Sequence, residues 1–180
     1  MNTLLWWAYR AAGEVATLAA RVVPAGEGKV TRALVARREV RGRFAAWGRT
    51  GRDRTRPLLW MHAPSVGEGL QARPVLELVR SRLPHVQLAY TFFSPSAEPF
   101  ARGLAVDFAD YLPFDTVGGA HAALDALQPT ALVYAKLDVW PILTAEGSGA
   151  DRLVRALEAL CVVAERHMAL LMAVRSQSDG

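Results

Sequence analysis

The sequence predicts an α/β fold built on a doubly wound parallel sheet. Short apolar runs alternate along the chain with segments of helical spacing, and glycine, proline or polar residues bound each run. The first run, Leu58–His62, has no polar–apolar period, which suits a strand buried on both faces of a parallel sheet. Because parallel strands need crossover helices, the alternation itself indicates this fold class.

The composition favours one folded domain with appendages. The chain has 180 residues, of which 52% are apolar, so a core is available and general disorder is excluded. The single cysteine, Cys161, excludes a disulfide framework and a cysteine-rich zinc site within the chain. We expect Cys161 to be a small buried residue of a helix. No cluster of carboxylates points to a metal, so no cofactor is predicted.

Four strands and three helices are predicted for the sheet domain, which covers residues 57–145. The strands are placed at 58–62, 86–93, 107–112 and 130–135, and the helices at 67–83, 96–102 and 116–127. Pro74 lies inside the first of these helices and predicts a kink, or a helix start later than Gly67. Ligands of doubly wound sheets bind at the carboxyl ends of the strands. Four loops are therefore candidates for function: 62–68, 93–97, 113–116 and 136–141.

Residues 1–24 are predicted to form an interfacial membrane helix. The aromatic residues Trp6, Trp7 and Tyr9 open an apolar segment that charged residues interrupt, so it suits a helix lying in the membrane surface better than a spanning helix. The order of aromatic and basic residues is also unlike a signal peptide. The alternative is an ordinary amphipathic helix packed on the domain.

Residues 25–56 are predicted to form a basic helix, at about 30–47, followed by a polar linker. Ten Lys or Arg residues lie between Lys29 and Arg56, whereas the net charge of the whole chain is only +4. Such a block attracts anions, and we expect contacts with an acidic membrane surface or with phosphate from Arg37, Arg38 and Arg41. A solvated helix face is the alternative. Nucleic acid is not a predicted partner, because few aromatic residues interleave with the charge.

The loop at 62–68 contains the candidate catalytic residue, Glu68. Residues 65–68 read S-V-G-E, which fits a capping box in which Ser65 begins the helix and Glu68 returns a hydrogen bond. In the functional interpretation, Glu68 is a carboxylate held at the strand ends that takes a proton from an incoming hydroxyl. Gly67 would allow a ligand to approach the backbone closely. Neither a dinucleotide fingerprint nor a P-loop is present in the sequence.

Two further loops offer polar side chains. Ser94 and Ser96 lie at the start of a short predicted helix and form either an anion cradle or a plain helix cap. Lys136 and Asp138 lie two residues apart after the fourth strand, so their side chains would point the same way on an extended stretch. The alternative for that pair is a surface ion pair of little energetic value.

The order of these loops resembles the N-terminal domain of bacterial Kdo (3-deoxy-D-manno-octulosonic acid) transferases. Residues 62–68 read H-A-P-S-V-G-E, 91–96 read T-F-F-S-P-S, 111–115 read Y-L-P-F-D and 136–141 read K-L-D-V-W-P. The resemblance, over about residues 1–145, implies half of a GT-B fold at the cytoplasmic face of the inner membrane. It implies an inverting transfer of Kdo from CMP-Kdo to the lipid A precursor, with Glu68 as the general base. It also implies acceptor contacts from the polar loop residues Ser65, Gly67, Ser94, Ser96, Lys136 and Asp138.

The sequence departs from the family pattern at three places. Pro64 stands where the family has valine, and Lys136 and Asp138 stand where it has two glutamates, so one charge is reversed. Residues 146–180 read as a divergent tail with one amphipathic helix. We expect this chain to lack the donor-binding domain for CMP-Kdo. We therefore expect this chain to be inactive by itself, whether it is a truncation product, the result of a frame change or a chain with a replacement element. The rival interpretation is a non-catalytic, membrane-bound module derived from the family.

Overall fold

The computed structural model describes residues 3–135 and 140–147. The helices and strands alternate as an α/β fold requires. They are α1 (Thr3–Val22), α2 (Lys29–Ala36), α3 (Val40–Thr50), β1 (Leu58–His62), α4 (Val66–Arg82), β2 (Gln87–Phe92), a 3₁₀ turn (Pro95–Ala97), α5 (Glu98–Arg102), β3 (Phe108–Tyr111), α6 (Val117–Leu127), β4 (Ala131–Tyr134) and α7 (Pro141–Gly147). The tail at 146–180, with its predicted helix and Cys161, falls outside the described residues except for Glu146 and Gly147, which end α7.

The four strands form one parallel sheet in the order β3-β2-β1-β4, which confirms the predicted fold class. The chain steps outward from β1 to β3 and then returns to the other side of β1. With right-handed crossovers, α4 and α5 lie on one face of the sheet and α6 on the other. Contacts agree with this arrangement, since α4 packs against α5 while α3 packs against α6.

The core is made of strand side chains that are buried on both faces of the sheet. On one face, Phe44 of α3 lies edge-on to Trp60 and to Phe108, at ring-centroid distances of 6.3 and 4.8 Å. On the other face, α4 comes so close to β2 that a Cβ at Gly69 would lie 2.7 Å from the Tyr90 hydroxyl. The absence of a polar–apolar period in β1 therefore reflects two covered faces.

Two predicted elements differ from the structure. The single basic helix is two helices, because the backbone at Arg37 and Arg38 donates to carbonyls three residues back and ends α2. This break lets the Arg37 side chain turn into the protein. The helix at 67–83 begins earlier, at Val66, and contains Pro74 in its interior. The three later predicted strands are each two residues longer than β2, β3 and β4, by one residue at each end.

Helix α1 turns most of its large apolar residues toward solvent. Its inner side packs on the domain through Tyr9 and Gly13, where a Cβ would lie 3.1 Å from the Asp115 carbonyl oxygen. The large apolar residues Leu4, Leu5, Trp7, Val15, Leu18 and Val22 are exposed. Within residues 3–135 and 140–147, no helix combines the length and hydropathy needed to cross a bilayer.

Candidate functional site

Glu68 lies half-buried in the first turn of α4, directly beyond the carboxyl end of β1. Ser65 has extended backbone angles and precedes the helix, and its carbonyl accepts the first helical bond from Gly69 N at 2.9 Å. The Ser65 side chain makes no capping bond to the backbone. Its hydroxyl instead donates to Glu68 Oε2. The serine therefore orients the carboxylate, and its half of the predicted capping box does not form.

The first two loops are joined by backbone hydrogen bonds at Pro64. Its carbonyl accepts from Phe93 N at 3.1 Å and from Ser94 N at 2.8 Å. The hydroxyls of Ser94 and Ser96 lie 2.8 Å apart and bond to each other. Gly67 is exposed beside Glu68. The structure thus brings the predicted residues of both loops to one edge of the sheet.

His62, the last residue of β1, lies beneath this edge and is fully buried. Its Nδ1 bonds Thr91 Oγ1 at 3.0 Å, and that same oxygen accepts from Trp60 Nε1 at 2.8 Å. Burial lowers the pKa of His62 to about 4, so the ring is neutral at physiological pH. The Glu68 charge raises this pKa slightly, against the larger effect of burial. His62 is a structural support of the loop and is unsuited to act as a base.

Arg37 connects the second and third loops from within the protein. Its guanidinium donates to the carbonyls of Leu112 and Phe93 at 3.0 and 2.7 Å, and it lies 4.0 Å from the centroid of the Phe93 ring. Burial lowers the pKa of Arg37 to about 10, so it keeps its charge at neutral pH. The predicted surface role is corrected here, because only 3% of Arg37 is exposed.

The other predicted membrane and phosphate contacts divide between the surface and the interior. Trp7 is 60% exposed, whereas Trp6 packs against the core and stacks on Tyr9. Trp6 therefore does not lie on the outer face of α1, contrary to the expectation from the sequence. Arg38 is exposed and donates to the carbonyls of Ala20 and Val23 at the end of α1.

The sequence model of one protein family, described as 3-deoxy-D-manno-octulosonic-acid transferase (kdotransferase), matches residues 38–159. This chain belongs to the Kdo transferase family. The match covers more than half of the chain and includes β1, α4 and the loop that carries Glu68. It begins after α1 and α2, and it extends into the tail that the sequence analysis did not relate to the family.

Two curated proteins named 3-deoxy-D-manno-octulosonic acid transferase are similar to the chain. The protein from Haemophilus influenzae is 29% identical over 87 residues, which are 47% of this chain and 20% of that protein. The protein from Rickettsia felis is 26% identical over 101 residues, which are 55% of this chain and 22% of that protein. The matches thus span about a fifth of the length of these Kdo transferases. No solved structure matches the chain.

The Y-L-P-x-D element that resembles the Kdo transferase pattern carries a role that the sequence did not reveal. Asp115 Oδ2 accepts from the Tyr9 hydroxyl at 2.7 Å and from Ile142 N at 2.9 Å, and Oδ1 accepts from Leu143 N at 2.8 Å. One carboxylate therefore ties α1 to the start of α7. The sequence signal was a single Asp after a strand, which does not identify such distant partners.

An ion pair was also missed in this Kdo transferase domain. Arg43 binds Asp110 on the edge strand β3 with two hydrogen bonds, of 2.6 and 2.7 Å. The hydrogen bond to this carboxylate raises the pKa of Arg43. The pair thus gives Arg43, one cation of the basic block, a structural role.

Lys136 and Asp138, the predicted acceptor residues of the fourth loop, lie outside the described residues. Trp140 follows them and lies 5.8 Å from His62 between ring centroids. Among the described residues, no group of three His, Cys, Asp or Glu side chains could hold a metal ion.

Proposed function

We propose that the chain is the acceptor-side domain of a Kdo transferase of lipopolysaccharide synthesis, in which Glu68 is the general base. The supporting observation is the placement of Glu68: a half-buried carboxylate, oriented by Ser65, at the carboxyl edge of a parallel sheet. Membership of the family supplies the reaction class. The donor in this proposal is CMP-Kdo and the acceptor is the lipid A precursor.

In the proposed reaction, an acceptor hydroxyl approaches the Glu68 carboxylate and gives up its proton as it attacks the anomeric carbon of the donor. The bond from that carbon to the CMP phosphate oxygen breaks, and CMP leaves with the bonding electrons. Attack opposite the leaving group inverts the anomeric centre. The hydrogen bond from Ser65 would hold the carboxylate in position for the transfer.

Recognition of the acceptor is assigned to the polar loops around Glu68. Gly67 leaves room for the acceptor beside the base, and the hydroxyls of Ser94 and Ser96 stand on the adjoining loop. Lys136 and Asp138 complete the proposed acceptor residues by their place after β4. The donor nucleotide would be held by a second doubly wound domain facing this edge.

Membrane contact through α1 is part of the proposal, at the cytoplasmic face of the inner membrane. Trp7, Leu18 and Val22 are exposed on a helix whose other side packs on the domain. Such a helix binds bilayers through its apolar face and through nearby cations. We expect the chain to pellet with anionic vesicles and high salt to weaken the binding only in part, because salt screens the arginines but not the apolar contact. Complete loss of binding in high salt would contradict the role of α1.

The base is tested in a protein that carries both domains, made by fusing a donor domain to this chain. Glu68→Gln should lower turnover about 10²-fold or more, the scale of a lost general base. Glu77→Gln is the matched control, since Glu77 is an exposed carboxylate of the same helix that pairs with Arg73. Kdo transfer to lipid A precursor is measured in both variants, and equal turnover would exclude Glu68 as the base.

A second candidate function is a non-catalytic membrane module derived from the family. The outward apolar face of α1 favours it, because that face needs neither Glu68 nor a donor domain. The two functions separate in one experiment. Vesicle binding by the chain with no Kdo transfer after addition of a donor domain would favour the module. Recovered transfer would favour the enzyme.

A further inference from the structure

Two aromatic side chains lie side by side at the carboxyl edge of the sheet. Phe93 follows β2 and Trp140 follows β4, and their ring centroids are 5.3 Å apart with the planes tilted by 39°. Strand β1 lies between β2 and β4 in the sheet. A pair that joins the loops of these two strands therefore lies across the carboxyl end of β1, where the loop of Glu68 begins. Both rings are half-buried, so part of each reaches the surface.

Phe93 is held in place by its backbone and by one face of its ring. Its N–H donates to the carbonyl of Pro64, on the loop of Glu68, at 3.1 Å. Its own carbonyl accepts from Arg37 at 2.7 Å, and the guanidinium lies 4.0 Å from the ring centroid. Because Arg37 is buried, this face of the ring is turned toward the protein. The ring therefore has a fixed position relative to the loop of Glu68.

Trp140 is fixed in the same way at the start of α7. Its carbonyl accepts from the backbone N–H and from the hydroxyl of Thr144, at 2.9 and 2.8 Å. Its ring meets the buried His62 ring edge-on, at a centroid distance of 5.8 Å and an angle of 88°. The indole Nε1 is buried and has no hydrogen-bond partner within residues 3–135 and 140–147. Since this polar atom is covered, the part of the side chain at the surface is made of carbon.

From this arrangement we propose that Phe93 and Trp140 form an aromatic platform on which the acceptor sugar ring stacks while its hydroxyl faces Glu68. The face of a pyranose ring carries C–H bonds whose hydrogens are slightly positive, and the face of an aromatic ring is slightly negative. The hydroxyls of the sugar extend from its rim, where Ser94 and Ser96 stand on the loop of Phe93. An apolar aromatic surface beside a few polar groups is typical of small-molecule sites.

The platform would supply an orientation that the serine hydroxyls cannot supply alone. Hydroxyl groups rotate, whereas two fixed rings restrict the plane of the sugar and thereby the direction of the attacking hydroxyl. The inference deepens the proposed function and rests on it for the acceptor being a sugar. Phe93 and Trp140 bind that acceptor and take no part in the proton transfer.

The first test measures binding to the full chain without turnover. Isothermal titration calorimetry gives the Kd of the deacylated sugar headgroup of the lipid A precursor. Trp140→Leu keeps an apolar side chain but removes the aromatic face, so it should weaken binding about tenfold, whereas Trp140→Phe should keep most of it. Trp47→Leu is the matched control. Trp47 is also half-buried and stacks on an aromatic ring, that of Phe108 at 4.9 Å, but at the amino end of β3.

The second test separates a binding role from a structural one. In the protein fused to a donor domain, Trp140→Leu should raise KM for the acceptor about tenfold and leave kcat and the KM for CMP-Kdo nearly unchanged. A tryptophan that only stabilises the fold would instead lower kcat, because less of the protein is folded, and leave both KM values as they are. If Trp140→Leu does not fold, Phe93→Leu provides the same two tests.

The outcomes decide the proposal. Weaker headgroup binding in Trp140→Leu, with binding retained in Trp47→Leu and Trp140→Phe, supports the platform. Unchanged binding in Trp140→Leu, an equal loss in Trp140→Phe, or no binding of the headgroup by the original chain overturns it. A lower kcat with an unchanged KM for the acceptor overturns it as well. Normal turnover in Glu68→Gln would exclude the base and leave the binding result intact, so the two proposals can fail separately.

Discussion

The sheet and the N-terminal layer, which consists of α1 and α2, are held in the protein by different forces. The strands pack through apolar side chains that are buried on both faces, with Leu58 and Trp60 completely covered. The N-terminal layer turns much apolar surface outward and is attached through polar bonds such as Tyr9 to Asp115 and Arg38 to Ala20. The sheet thus supplies the rigid frame, whereas the layer depends on a few specific bonds.

The largest difference in stability is expected between the alanine variants of two tryptophans. Trp60→Ala should lower the free energy of unfolding by about 3–5 kcal/mol, because it opens a cavity in the core and removes the donor to Thr91. Trp7→Ala should change it by less than about 0.5 kcal/mol, since Trp7 is 60% exposed, but it should weaken vesicle binding. Urea unfolding measures the first quantity. Similar losses of stability in both variants would mean that the two regions do not differ as described.

The next largest effect is a pH dependence of stability that arises from His62 in the sheet. The pKa of His62 is lowered to about 4 by burial, from an ordinary value of 6.5. The unfolded chain takes up the proton near pH 6.5 and the folded chain only near pH 4. Stability is therefore complete above pH 6.5 and decreases as the pH falls, by up to roughly 3 kcal/mol at pH 4.

The contribution of His62 is isolated by substitution. His62→Asn cannot be protonated in this interval and can still accept a bond from Thr91. Its free energy of unfolding should depend less steeply on pH between 6.5 and 4.5 than that of the original chain. Parallel curves for the two proteins would show that His62 is not the group responsible.

A smaller loss of stability is expected at Asp115, where the two regions meet. Asp115→Ala removes the acceptor for the Tyr9 hydroxyl and for two backbone N–H groups of α7, which should cost about 2 kcal/mol. Asp125→Ala is a control on α6, and it should be nearly neutral. The midpoints of thermal unfolding of the two variants are compared. An unchanged midpoint for Asp115→Ala would show that Asp115 does not stabilise the contact between the two regions.

The smallest expected effect on stability is confined to α1. Tyr9→Phe removes one bond from α1 and leaves its apolar packing, so the global free energy of unfolding should change by about 1 kcal/mol or less. Amide hydrogen exchange should accelerate in α1 while β1 and β2 keep their protection, because the layer opens separately from the sheet. Equal acceleration in the strands would show that layer and sheet open together.

The fold was largely predictable from the sequence, because the strands are short apolar runs between clear breaks. The sequence predicts Leu58–His62 with its observed bounds, and the alternation with helices predicts that the strands are parallel but not their order in the sheet. The break after Ala36 was not predictable from periodicity. It depends on a buried arginine, Arg37, whose partners lie 56 and 75 residues away in the sequence.

The candidate site was predictable only in its location. The strand ends indicated the loop of Glu68, but the S-x-x-E pattern suggested a capping bond where the structure has a bond between two side chains. The number of arginines indicated an affinity for anions without distinguishing the buried Arg37 from the exposed Arg38. Contacts between distant side chains determine these differences, and local patterns do not encode them.

The bonds of the N-terminal layer restrict where the protein can be shortened for expression. The family match begins at residue 38, which makes a fragment starting there attractive. Such a fragment loses Arg37 and so leaves the carbonyls of Leu112 and Phe93 without their donor, and it deprives Asp115 of Tyr9. To prepare the protein without detergent, α1 should be kept and its outward apolar side chains replaced, for example by Leu18→Gln with Val22→Lys. That change alters the solubility of the protein without removing any of these bonds.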